Sequence, residues 1–225
     1  MEGEDMELNS SELGTKKFWD ATYDGELKNY KDHGNVGEVW FGEESILRII
    51  QWLKKHLPGS ERDSIVDLGC GNGMMLIEMA REGYENLTGY DYSEQAIQLA
   101  MSIVEEQKMD SIIKLQVCDL ISSDIQTPTF SIALDKGTYD AVCLNPSDVK
   151  ESRKNYLKNI YNLLKPSGLF VITSCNWSDD EIISHFNEYF KLHSIIPTPE
   201  FSFGGKSGKL VSCLVLQKVD KPISS

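Results

Sequence analysis

Ser64-Ile65-Val66-Asp67-Leu68-Gly69-Cys70-Gly71-Asn72-Gly73 is the stretch on which the fold turns. An apolar run ends in an acid, three glycines follow at alternate positions, and Met74-Met75-Leu76-Ile77 resumes with helix-forming residues. That order describes a buried strand, a tight turn and a helix start. Glycine lacks a Cβ, so it takes positive φ freely and lets a ligand lie against the backbone. The turn is therefore a cofactor seat, and its spacing narrows the choice. A dinucleotide fingerprint needs G-x-G-x-x-G, whereas Met74 stands where its third glycine belongs. A phosphate loop needs a Gly-Lys-Ser/Thr ending, which this turn does not have.

Working outward, further strands end in acids. Residues 86–92 read as a second strand carrying Asp91, one βαβ step beyond Asp67, where a carboxylate accepts both hydroxyls of a ribose. Ser93-Glu94-Gln95-Ala96 follows as a helix cap, so Asp91 as a mere pre-cap acid stays open. Residues 112–118 form a third strand before Asp119, and residues 130–135 a fourth that ends in Asp135. In a doubly wound sheet the fourth strand lies across the switch point from the first. Asp135 is thus expected to face the incoming nucleophile, with a capping role as the alternative. A helix over residues 148–164 and the turn Lys165-Pro166-Ser167-Gly168 lead into a fifth strand, 169–173, which Ser174-Cys175-Asn176-Trp177 leaves on the same side. Strands at 192–196 and 210–217 flank a long connector, 197–208, which suits substrate recognition.

Upstream, Phe18, Trp19 and Tyr23 recur at helical spacing, either as a packed face or as a lid over the cofactor. Trp40 and Phe41 sit in a glycine-broken loop, where large rings plug the core or line a site. Residues 1–12 are acidic and aperiodic, so they are expected to be a disordered tail before a single domain, 13–219, and a short C-terminal tail, 220–225. The chain of 225 residues has room for one substantial core. Its formal net charge of -13 argues against a nucleic-acid surface and suits a basic protein substrate. Five widely spaced cysteines read as small core residues, no metal is expected, and no membrane span or secretory leader is visible.

With those residues in hand, Val66 to Gly73 resembles the first motif of class I S-adenosylmethionine (SAM) methyltransferases, and the likeness extends from about Gly14 to Val219. More narrowly the chain is similar to the methyltransferase-like 10 type of protein-lysine methyltransferase. Glu12-Leu13-Gly14-Thr15-Lys16, Gly37-Glu38-Val39-Trp40-Phe41-Gly42, Asp135-Lys136-Gly137-Thr138-Tyr139-Asp140, Ser174-Cys175-Asn176-Trp177 and Phe203-Gly204-Gly205 carry that match. The resemblance implies an α/β, Rossmann-like fold: a seven-stranded, mostly parallel sheet with its last strand antiparallel and helices on both faces. It implies SAM as methyl donor and, as acceptor, a lysine of eukaryotic translation elongation factor 1-alpha. It also implies a cytoplasmic protein with room for a nuclear pool; oligomeric state is open, with a monomer as the working expectation.

The resemblance places adenine against Asp119 and the Leu120 backbone, and the rest of the donor against Trp40, Asp67, Gly69, Gly71, Gly73, Asp91 and Tyr92. Asp135, Tyr139, Asn176 and Trp177 make up the expected catalytic set. Trp40, Tyr139, Trp177 and Phe203 are the candidate rings for an apolar channel that strips a lysine of its proton and tolerates the methylated cation. Asn145-Pro146-Ser147-Asp148 is similar to the N-P-P-Y element of amino-methylating nucleic-acid enzymes, but it falls well past the fourth strand and reads as a helix-start turn. A methyltransferase of another acceptor and an inactive SAM-binding partner subunit are the alternative readings.

Overall fold

The computed structural model describes residues 7–121, 130–203, 206–220 and 222, and the side chains of 201–203, 206 and 207 are left aside. Residues 1–6, 221 and 223–225 of the expected tails, most of the polar loop after Ile121, Gly204-Gly205 and the Phe203 ring therefore lie outside the described residues.

The centre is β1 (Ile65–Leu68), buried along its whole length. It pairs in parallel with β2 (Leu87–Asp91) on one side and β4 (Phe130–Lys136) on the other. A strand covered on both faces must be apolar on both, which is why Ile65-Val66 does not alternate with polar residues. β3 (Ile113–Val117), β5 (Leu164–Ser174), β6 (Phe190–Ile195) and β9 (Ser212–Lys218) complete the sheet in the order β3-β2-β1-β4-β5-β9-β6. β9 runs antiparallel to both its neighbours. The strand order reverses between β1 and its parallel neighbour β4, which makes that crevice the topological switch point.

Side-chain parity divides the core in two. Ile65, Leu87, Ile132 and Leu134 face α2 (Gly42–His56), α3 (Met74–Arg81) and α4 (Glu94–Glu106). Val66, Leu68, Tyr90 and Ala133 face α5 (Thr138–Cys143), α6 (Val149–Leu163) and α7 (Asp179–Phe186). α1 (Lys16–His33) packs on α4, its N-terminus capped by the Thr15 hydroxyl, which accepts from Phe18 N at 3.3 Å. Ser178 and Glu181 form a reciprocal capping box at the start of α7.

Several expectations are corrected. Residues 7–11 are docked: Leu8 packs on the α5–α6 cluster, Glu7 pairs with Arg153 at 2.8 Å, and Ser11 N donates to Leu144 O at 3.1 Å. The connector 197–208 contains an antiparallel hairpin, β7 (Glu200–Phe203) with β8 (Lys206–Lys209). β5 takes in Lys165 to Gly168, which the sequence assigns to a turn, and Leu164, which it assigns to the preceding helix. Cys175 is exposed rather than core, whereas Cys70, Cys143 and Cys213 are buried.

Candidate functional site

Parallel strands point their C-terminal ends the same way, so the acids that close β1, β2 and β3 arrive at one end of the sheet. There a cavity of about 470 Å³ opens beneath α1, within the range of small-molecule sites, roughly 300–1,000 Å³.

Its floor is the glycine turn. Gly69 N and Cys70 N both donate to Tyr90 O, at 2.7 and 2.9 Å, which draws the turn against β2. Gly69 and Gly71 have φ of 70° and 53°, and a Cβ on either would collide with the Thr138 hydroxyl or the Tyr23 hydroxyl respectively. Only glycine permits both the conformation and the approach. Asn72 donates from Nδ2 to Val36 O and Glu38 O, each at 3.0 Å, tying the Trp40 loop to the turn. Sequence reasoning passed over Asn72, which looks like one more turn residue.

One wall carries Asp91. Its Oδ2 accepts from Gly71 N at 3.0 Å and its Oδ1 from Ser93 N at 2.9 Å, so it braces the turn, starts α4 and still borders the cavity. Burial pushes its carboxyl up to about 6, against those two hydrogen bonds. Tyr92, Asp119, Leu120 and Ile121 continue the wall, with Ile121 N donating to Asp119 Oδ1 at 2.9 Å. The roof is Leu13, Gly14, Lys16, Trp19 and Tyr23, joined by Trp40 and Phe41. The Trp19 indole donates to Leu13 O at 2.7 Å and its ring meets Trp40 edge-on at 5.2 Å, so the aromatic face of α1 is at once packed and a cover.

At the far end stand Lys136, Thr138, Asp140, Asn145 and Asn176. Lys136 Nζ donates to Trp40 O at 3.0 Å; burial lowers its pKa while the charges of Asp67 and Asp135 oppose that shift. Asp140 accepts from Ser174 Oγ at 2.5 Å and from Cys175 N at 2.9 Å, fixing the exit of β5 beside the cavity. Neither residue was expected here, and Asn145 borders the cavity although its motif reads as a turn.

Of the expected donor residues, Trp40, Gly69, Gly71, Asp91, Tyr92, Asp119 and Leu120 line this space, whereas Asp67 and Gly73 stand behind it. Of the expected catalytic residues, only Asn176 lines it. Asp135 is corrected to a capping role. In the register of β1 with β4 it lies beside Leu68, whose side chain belongs to the α6 face, so its carboxylate turns away from the cavity. It is 1% exposed and accepts from Thr138 N, Tyr139 N and the Tyr156 hydroxyl. Tyr139 is core, its hydroxyl 3.0 Å from His185 Nδ1, and Trp177 meets the same histidine edge-on at 4.5 Å, outside the cavity. Of the candidate rings for the channel, Trp40 alone lines the cavity among the described residues, with Phe41 added, and the Phe203 ring lies outside the described residues.

Among the carboxyls that burial raises are Asp67 and Asp91, to about 6, and Asp135, to about 7. Their unfolded value is about 3.9. A raised acid favours the folded state fully below that value, and the contribution is lost as pH climbs through the folded one. The ligand-free protein is therefore expected to melt at a higher temperature near pH 5.5 than near pH 8, where the three groups are ionised. Scanning fluorimetry across that interval tests this; a midpoint that rises with pH would contradict it.

The lining suits an adenosine that bears a charged amino-acid tail: carboxylates for hydroxyl and amino hydrogens, apolar side chains for a flat ring, and a turn bare of side chains. The known proteins agree. A family model described as "Methyltransferase domain" matches residues 60–215. "EEF1A lysine methyltransferase 2" of Homo sapiens is 47% identical over 217 residues, covering 96% of this chain and 91% of that protein. "Protein-lysine N-methyltransferase EFM4" of Saccharomyces cerevisiae is 36% identical over 224 residues, covering 94% and 97%. A TehB-like SAM-dependent methyltransferase structure from Corynebacterium glutamicum aligns with a TM-score of 0.59 at 18% identity over 89% of this chain and 98% of that one, which shows the fold. With its glycine turn, its wall of carboxylates and these relatives along nearly its whole length, the chain belongs to the SAM-dependent methyltransferases, in the family of protein-lysine methyltransferases that these relatives represent.

Proposed function

We propose that this enzyme methylates the ε-amine of a lysine in eukaryotic translation elongation factor 1-alpha. The 47% identity to a relative so named, spread over 96% of the chain, carries the reading. Bound SAM supplies a methyl group activated on a sulfonium. The protein's part is to hold that donor and to align a neutral amine with it.

In this reading Asp91 accepts the ribose hydroxyls, Asp119 and the Leu120 backbone meet the adenine, and Gly69 and Gly71 leave room for the amino-acid tail. Asp67 acts from behind, through its charge on Lys136. A free lysine is mostly protonated at neutral pH, with a pKa near 10.4. The Trp40 and Phe41 rings withdraw water from the amine and lower that value, and the ring faces accept the methylated cation. Asn176, whose side chain is exposed at the cavity's end, orients the amine, and Asp140 positions Asn176 by holding the exit of β5.

Incubation of the protein with labelled SAM and a lysate from cells that lack it tests the proposal. A labelled band that antibodies to the elongation factor recognise is expected. Label confined to RNA, or donor binding with no labelled macromolecule, would contradict it.

A further inference from the structure

A second cavity, of about 460 Å³, lies beside the first. One wall is the exit of β5 with the start of α7, including Trp177, Asp179 and Asp180; the other is Glu200 with the end of β8 and the residues that lead into β9. Cys175 and Asn176 belong to the linings of both cavities. The two spaces therefore border one short segment, Cys175-Asn176, from either side.

We propose that this second cavity is the acceptor channel, and that it binds an extended peptide segment with positive side chains on either side of the lysine to be methylated. The proposal rests on the protein-lysine reading above and adds how the substrate is recognised. Charge is the first argument. Asp179, Asp180 and Glu200 border the cavity together with Lys209, which is held by Asp179 Oδ2 at 3.0 Å, while Glu200 takes part in an interaction of its own. Asp180 is exposed and makes no hydrogen bond or ion pair among the described residues. The second argument is an acceptor with no donor: Asp179 Oδ1 is buried without a hydrogen-bond partner among the described residues, an arrangement that costs free energy until a donor meets it. The third is apolar surface at the rim, where Leu210 is 73% exposed and offers contact to the aliphatic stem of a lysine or arginine. The same acids disfavour phosphate, which separates this channel from a nucleic-acid groove.

The test uses the full chain loaded with S-adenosylhomocysteine and three fluorescent peptides of equal length, each with one lysine. The flanking residues are arginine in the first, citrulline in the second and glutamate in the third. Wild type is expected to bind the arginine peptide about tenfold more tightly than the citrulline peptide at low salt, with the gap narrowing as salt screens the charges. In the double variant Asp180→Asn with Glu200→Gln the gap closes, while calorimetry with S-adenosylhomocysteine shows an unchanged donor site. Asp180→Lys shifts the preference toward the glutamate peptide. Equal binding of all three peptides by wild type, or a gap that survives the double variant, would overturn the channel. A lysate without labelled elongation factor would overturn the substrate assignment and leave this peptide comparison standing.

Discussion

Asp135→Ala is expected to lower the melting temperature by about 10 °C and to leave little folded protein from which to measure activity. The carboxylate accepts from Thr138 N at 2.8 Å, from Tyr139 N at 3.0 Å and from the Tyr156 hydroxyl at 2.5 Å, in a site 1% exposed. Its removal strands two backbone donors at the start of α5 and a buried phenol, each at a cost of about 1–3 kcal/mol. Burial raises this carboxyl to about 7, so losing a reluctant charge offsets part of that, and a net loss of about 3 kcal/mol remains. Asp135→Asn keeps one acceptor oxygen and should fall between the two. Thermal melts followed by circular dichroism decide the matter. A variant that melts with wild type yet has lost turnover would return Asp135 to the chemistry, where the sequence placed it.

Asp91→Ala is expected to weaken S-adenosylhomocysteine binding by about 100-fold, since hydrogen bonds to a charged group contribute about 1.5–3 kcal/mol each and two ribose hydroxyls lose theirs. The side chain also braces Gly71 N and Ser93 N, so a second effect is a modest loss of stability. Calorimetric titration separates the effects, because a temperature at which the variant is fully folded can be chosen from its melt. Binding within a few fold of wild type would move the ribose away from Asp91.

Much of this was legible in the sequence because it is dictated locally. The alternating glycines from Gly69 to Gly73 demand positive φ, and all three have it. Asp67 and Asp91 share the parity of Ile65 and Leu87, so a reading that extends each strand to its acid also places both acids on one face. Asp135 was misread for the same reason: it sits one residue beyond Leu134, which packs with the α2–α4 cluster, so its side chain falls on the α6 face and Lys136 takes the cavity side. Parity along β4 is legible in Phe130-Ser131-Ile132-Ala133-Leu134, and parity, not position at the strand tip, decides which way Asp135 points. The α5 helix is six residues long and begins after Gly137 at φ 94°, too short to show a period. The β7–β8 hairpin had a signal, since Phe201-Ser202-Phe203 alternates into Gly204-Gly205. The link from Asn72 to Val36 and Glu38 was not legible, because it joins segments far apart in the chain.

A crystal structure of the full chain with S-adenosylhomocysteine would test most directly whether this cavity holds the donor. The account predicts ligand density beneath α1, with adenine at Asp119 and Leu120, ribose hydroxyls on Asp91, and the sulfur toward the end where Lys136 and Asn176 stand. Density elsewhere on the protein, or a ligand whose sulfur points away from Asn176, would contradict it.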